Sequence, residues 1–268
     1  MESSSNSAES DPANDSAAEA KLTEFIAANR QTTPPPQPAF VRLAERLQSE
    51  LVEDDAQRIE RERIEAQRAG VRRVSEIRQR FHDVLLAAGD RYRDCTLDSF
   101  EAVAPQQIKV VAALREYVAS DCPQNLILYG PVGTGKDHLA FAVCRGAIRA
   151  GKIVGWVNGQ KWFGLLRDAM DGDTREATII DDLRRPDILC VSDPLPPVGP
   201  LTQYQATMLY RLIDARYARG VPTICTVNVA SDTEADERMG AASWDRLCDR
   251  SWKLRCAWPT FRRPAREV

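Results

Sequence analysis

From Phe40 to about Tyr92, apolar residues return every three or four positions: Leu43, Leu47 and Leu51, then Ile59, Ile64, Val71, Val74, Ile77, Phe81, Val84 and Leu85. This spacing predicts a helix. The intervening positions are dense in Arg and Glu, as in QRIERERIEAQRAGVRRVSEIRQR, with the two signs nearly balanced. Balanced charge of this kind suits solvated helix faces with i,i+4 pairs rather than an arm for a polyanion. The segment is thus either a helical partner-binding module or a solvated extension.

Further along, short apolar runs alternate with helical stretches. Gln106–Ser120 has helical periodicity, and Asn125–Tyr129 (NLILY) is a continuous apolar run of the kind buried on both faces of a parallel sheet. A helix follows over Lys136–Ala150, with Gly151 placed to end it. Next come strand Lys152–Asn158, helix Lys161–Met170, helix Thr174–Arg184, strand Ile188–Val191, helix Leu201–Arg219 and strand Val221–Asn228. This alternation predicts an α/β domain of three layers, a parallel sheet with helices on both faces.

The N-terminal stretch is different. Rich in Ser, Ala, Asn, Glu and Pro and ending TTPPPQP, it has too little apolar surface to offset chain entropy, so a disordered tail and linker are expected there. MESSSNSAES lacks the basic and apolar regions of a secretory signal, and no apolar run approaches the ~18–20 residues that span a bilayer. The seven scattered cysteines, without a CxxC pair, read as buried thiols in a reducing compartment. No membrane partner and a cytoplasmic location are therefore expected. A formal net charge of -3 advertises no global field for nucleic acid, although a sum hides patches.

The candidate chemistry lies in GPVGTGKDH, formed by Gly130, Pro131, Val132, Gly133, Thr134, Gly135, Lys136, Asp137 and His138. The glycines permit backbone angles and close approach that a Cβ would obstruct. Successive amides then make an anion nest at the start of a helix, and Lys136 brings a mobile positive charge to β- and γ-phosphates. NLILY before the loop and DHLAFAVCRGAIRA after it supply the strand–loop–helix frame, so ATP is the expected cofactor. His138, on the first helical turn, reads as a local packing residue or a contact beside the nucleotide.

Two positions depart from the usual phosphate-loop pattern. Asp137 stands where Ser or Thr ordinarily offers Mg²⁺ a hydroxyl. At the end of the apolar strand ILCVSD, Ser192 stands where a metal-holding Asp is usual, with Asp193 in the place of the residue that orients water. Asp137, Ser192 and Asp193 form the candidate metal set. Either Asp137 and Ser192 exchange roles across Mg²⁺, or both changes record a loss of hydrolysis.

With GPVGTGKDHLAFAV, TLDSF…QQIKVVAALREYV, DILCVSD, LYRLIDARYARG, VPTICTVN and WDRL…SWKLRCAWPTFR in this order, the chain from about Cys95 to Arg262 resembles the DnaC/DnaI helicase loaders and their IstB-like transposition relatives among the AAA+ ATPases. The resemblance implies an AAA+ type P-loop fold and a catalytic set of Asp193, Asn228, Arg246 and Arg262. In that set Asn228 is a polar sensor of the γ-phosphate, Arg246 an arginine finger for a neighbouring subunit and Arg262 a second sensor. Ala242 replaces a further Arg of the family pattern, which weakens the expected contact between subunits. The alternatives are a strand-end turn residue at Asn228 and surface ion pairs at the two arginines.

The chain is accordingly expected to comprise a tail and linker (1–39), a charged helical partner-binding segment (40–94) and an AAA+ ATP-binding domain (95–268). The leading expectation is a loader that binds a replicative DNA helicase and single-stranded DNA and self-associates through its ATPase domain. A helper that directs a transposase, or a nucleotide-sensing adaptor with little hydrolysis, are the alternatives. The locally basic, aromatic WKLRCAWPTFRRPAR is the candidate nucleic-acid edge.

Overall fold

The structure, a computed structural model, describes Glu24 and residues 38–170 and 176–262. Apart from Glu24 and its last two residues, the tail expected over residues 1–39 lies outside the described residues. The chain divides into two compact units, Met1–Ala69 and Gly70–Val268. Helix α1 (Pro38–Ala88) is the described element of the first, and its final turns, from Gly70 onward, belong to the second. Ile59 and Ile64 are exposed, so the first unit's described apolar positions are not core positions there.

In the second unit, α2 (Pro105–Ala119) leads to β1 (Leu126–Tyr129), α3 (Lys136–Arg149), β2 (Val154–Asn158), α4 (Gly159–Met170), α5 (Glu176–Arg184) and β3 (Ile188–Ser192). Then follow α6 (Gln203–Ala218), β4 (Thr223–Val227), α7 (Asp232–Met239), α8 (Ala241–Cys248) and β5 (Trp252–Arg255). The strands form one parallel sheet in the order β2-β3-β4-β1-β5.

Side chains alternate across that sheet, and each face has its own core. Leu126 and Leu128 of β1, with Cys190 and Ile224, pack beneath α2 and α3; Ile127, Leu189, Val191, Cys225 and Val227 pack against α4 to α8. The expected three-layer α/β architecture is therefore present, with one strand more than the sequence pattern indicates. WKLR of β5 escapes notice because it is an edge strand, half-buried rather than continuously apolar. Helices α7 and α8 were equally unmarked, and α7 buries only Ala235 and Met239.

From β1 the chain leaves toward β2, β3 and β4, whereas β5 lies on the other side of β1. The carboxyl end of β1 is therefore a switch point, where open α/β sheets leave a crevice for ligands. The end of α1 is fixed close by. Val84 and Leu85 are buried, Phe81 meets Phe141 of α3 edge-on at 5.9 Å, and the Arg145 guanidinium lies over the Phe81 ring at 5.0 Å. Of the seven cysteines, six are buried and Cys248 is half-buried. Among the described residues, no helix is long and apolar enough to cross a membrane.

Candidate nucleotide-binding site

Residues Gly130 to Gly135 connect β1 to α3, and their three glycines all have positive φ, 141°, 84° and 83°. Lys136 is buried at the first helical position and donates through Nζ to the carbonyls of Gly130 (2.9 Å) and Pro131 (2.7 Å). Burial lowers its pKa from the ordinary lysine value, while Asp137 and Asp193 nearby oppose that effect. The charge is thus stored on loop carbonyls beside the amides that an anion would meet.

Asp137 faces the sheet. Its Oδ1 accepts hydrogen bonds from Ser192 Oγ (3.0 Å) and Thr226 Oγ1 (2.7 Å), and its Oδ2 from the Tyr92 hydroxyl (3.3 Å). Burial first, and the Asp137 charge second, raise the Tyr92 pKa, which keeps this hydroxyl a donor. The two residues that break the usual pattern, Asp137 and Ser192, are therefore direct partners. Thr226 and Tyr92 were not singled out by sequence. Thr226 pairs with Ser192 in the β3–β4 register, a relation visible only once the strands are neighbours.

Asp193 follows β3 with φ 46°, a left-handed conformation that Asp tolerates better than most residues. Its amide donates to the carbonyl (3.0 Å) and the hydroxyl (3.1 Å) of Thr226, and its Oδ1 accepts from Asn228 Nδ2 (2.7 Å). Thr226 thereby links the Asp193 backbone to the Asp137 carboxylate, accepting from the Asp193 amide and donating to Asp137. Burial, then the Asp137 charge, raises the Asp193 pKa, against the lowering effects of Lys136, Asn228 and Arg238.

A raised carboxyl pKa means that the fold favours the protonated acid. The stabilisation is full below the unfolded pKa and is lost as pH rises through the folded value, so ionised Asp193 costs stability at neutral pH. Asp193→Asn retains an acceptor for Asn228. It is expected to raise the thermal midpoint of the nucleotide-free protein at pH 7.5, with a gain that shrinks toward about pH 4. Circular-dichroism melts at both pH values check this; an equal gain at both would point to a cause other than charge.

A cleft of about 500 Å³ is lined by Val132, Gly133, Gly135, Lys136, Asp137 and His138, together with Asp193, Asn228 and Arg262. Tyr92, Thr226 and Phe261 also reach it. His138 is tied locally, with Nε2 3.0 Å from the Thr96 carbonyl and 3.3 Å from Ser99 Oγ, and its ring edge-on to Phe100. Pro131 and Thr134 shape the loop, the Thr134 hydroxyl donating to the Pro131 carbonyl at 3.0 Å. Arg246 does not line the cleft. Its carbonyl accepts from Asn125, just before β1, its Nε pairs with Asp214 at 2.8 Å, and its guanidinium lies 4.7 Å over the Tyr210 ring.

The donor chemistry fits magnesium of the kind held jointly by protein and phosphate. That ion takes one or two carboxylates and otherwise relies on water and phosphate oxygens. Asp137 and Asp193 supply two hard oxygen donors beside the loop, and the influence of one charge on the other's pKa is what a cation would relieve. Among the described residues there is no group of three His, Cys, Asp or Glu side chains that forms a complete protein cage.

A glycine-rich loop between a buried strand and a helix, its lysine, and an Asp–Asn pair on the adjoining strands define a P-loop nucleotide-binding domain of AAA+ type. The chain belongs to the IstB-like ATP binding protein family, whose model matches residues 17–267. It is 24% identical over 162 residues to the replicative helicase loader DnaC of Escherichia coli K12, covering 58% of this chain and 64% of DnaC, so less than two thirds of that relative's length is matched. An ATP-binding protein in an insertion sequence of Mycobacterium tuberculosis H37Rv is 30% identical over 183 residues, covering 64% of this chain and 70% of that protein. In fold, the crystal structure of the DnaC helicase loader is similar with a TM-score of 0.57 at 19% identity, covering 62% of this chain and 99% of that one.

Proposed function

We propose that this chain is an ATPase that loads a replicative DNA helicase onto single-stranded DNA, its nucleotide state governing its hold on that partner. The observation that carries the reading is the convergence of the Gly130–Lys136 loop, Asp193 and Asn228 on one cleft. Lys136 moves from the Gly130 and Pro131 carbonyls to the β- and γ-phosphates. Asp193, its carboxylate fixed by Asn228 and its pKa raised, orients the attacking water and accepts its proton. Asp137 and Asp193 would hold magnesium, which when bound neutralises charge on the phosphate oxygens. Ser192, the third residue of the candidate metal set, is buried outside the cleft lining and donates to Asp137, so it would position that carboxylate. Arg262 stands at the cleft wall to meet the terminal phosphate.

Arg246 acts in a neighbouring copy. Its separation from its own cleft accords with that role, and the Asp214 pair must open for it to reach across. The partner-binding segment expected over 40–94 is shortened to 40–69, and the ATPase domain begins at Gly70 rather than 95, since Val84, Leu85 and Tyr92 are part of its core. The DnaC similarity supports the helicase as partner. A second reading, a transposition helper that directs a transposase, is favoured by the 30% identity to the insertion-sequence protein.

Affinity capture with the full chain in ATP and in ADP tests the partner. ATP-dependent recovery of a replicative helicase supports the loader, and recovery of a transposase instead replaces it with the second reading. Binding to single-stranded DNA should weaken ~50-fold between 50 and 200 mM salt if about four phosphates are neutralised. Salt-independent behaviour in ATP would contradict a DNA-loading role and leave an adaptor.

A further inference from the structure

The residues after β5, Cys256–Arg262, form no regular element, yet they are bound first to the end of β1 and then to the phosphate loop. The Cys256 amide donates to the Tyr129 carbonyl at 2.7 Å, the buried Trp258 Nε1 to the Thr134 carbonyl at 2.9 Å, and the Phe261 amide to the Gly133 carbonyl at 2.9 Å. No space separates the two segments. A Cβ on Gly130 would lie 2.4 Å from the Cys256 carbonyl oxygen, and one on Gly133 would lie 2.0 Å from Thr260 Oγ1. Phe100 closes the contact from the other side, edge-on to Trp258 at 6.1 Å and to Phe261 at 5.3 Å.

These bonds sort the loop's polar groups. The carbonyls of Gly133 and Thr134 are taken by the C-terminal stretch, while the amides of Gly133, Gly135 and Lys136 have no acceptor among the described residues. Carbonyls turned out and amides turned in is the arrangement an anion nest requires. Three glycines at positive φ would not hold it unaided, because glycine visits many conformations at similar energy.

We propose that Cys256–Arg262 is a template that fixes the phosphate loop in its anion-binding shape before nucleotide arrives, with Trp258 as its positioning residue. This rests on the nucleotide-binding reading above and extends it to a segment of which only the last residue, Arg262, faces the cleft to meet phosphate. Holding the loop beforehand removes its ordering cost from the binding equilibrium. Trp258 suits the role because its ring is anchored against Phe100 and its one donor is aimed at the loop.

The test uses the full chain. Trp258→Phe keeps an aromatic ring and removes the donor; it is expected to weaken binding of both ATP and ADP about five-fold, the effect of one lost hydrogen bond. In the nucleotide-free protein, Trp258→Phe is expected to speed hydrogen exchange at the loop amides Gly133–Lys136, whereas a residue that merely fills the core would leave exchange there as in the wild type. Thr260→Ala, at an exposed site, is expected to weaken binding about two-fold through the same segment. Wild-type affinity in Trp258→Phe, or in Thr260→Ala should the first variant fail to fold, overturns the template while nucleotide binding stands. A wild-type chain that binds neither nucleotide overturns both.

Discussion

Lys136→Ala is expected to weaken ATP binding at least about 100-fold while changing the stability of the nucleotide-free protein by less than about 1 kcal/mol. The affinity loss follows from removing a charge that makes hydrogen bonds to two phosphates in a partly desolvated cleft, each charge-assisted bond contributing about 1.5–3 kcal/mol. The small stability change follows from what Lys136 does without ligand. It satisfies the Gly130 and Pro131 carbonyls, but its own burial opposes its charge, and the two effects offset. Equilibrium binding of a fluorescent ATP analogue, paired with denaturant unfolding, separates the terms. A variant that loses affinity and stability together would make Lys136 a structural residue.

Gly130→Ala carries the largest expected cost to the fold itself. Its φ of 141° is one that L side chains rarely adopt, and the new Cβ would lie 2.4 Å from a backbone oxygen of Cys256. That oxygen belongs to a residue whose amide is already bound to Tyr129, so it cannot turn aside as a flexible side chain would. Strain and overpacking together are expected to destabilise the protein by about 3 kcal/mol or more. For a domain of this size, this lowers the thermal midpoint by about 6–12 °C. Gly89→Ala is the control: its φ of 111° likewise lies outside the range L side chains favour, but a Cβ there meets nothing within 4 Å. Equal losses at the two positions would show that backbone angle alone, and not the C-terminal contact, sets the cost at Gly130.

These two positions also mark what could be read from sequence. Gly130, Gly133, Gly135 and Lys136 carry their chemistry locally, in a run flanked by a continuous apolar strand and a helix, so the loop and the layered fold were legible. Asp193 was singled out at the end of an apolar strand, whereas Asn228 entered only through the family resemblance, its place at a strand end being equally that of a turn residue. Thr226 was not, because its importance comes from register: only when β4 lies beside β3 does its hydroxyl meet both Asp137 and the Asp193 amide. Tyr92 reaches Asp137 from 45 positions away, with no local pattern to reveal it. Trp258, in a tail that read as a candidate nucleic-acid edge, donates to the Thr134 carbonyl of the loop, a contact no local pattern indicates. Distances of this kind are set by tertiary packing, which periodicity does not encode.

The atypical pair Asp137 and Ser192 has a physical consequence for the bound state. Three hydroxyls already satisfy the Asp137 carboxylate, so any cation must compete with Tyr92, Ser192 and Thr226 for its oxygens. If magnesium accompanies the nucleotide as proposed, its binding and nucleotide affinity would be coupled through this one side chain. Such coupling accommodates either slow turnover or a binding switch, without altering the loop.

The account depends above all on the Gly130–Lys136 amides receiving phosphate. Calorimetric titration of the full chain with ATP in magnesium tests this most directly. One saturable site per chain is expected, with micromolar affinity, of order 8 kcal/mol, weakened at least about 100-fold by Lys136→Ala. An absence of binding heat at several temperatures, with Lys136→Ala indistinguishable from the unaltered protein, would contradict it.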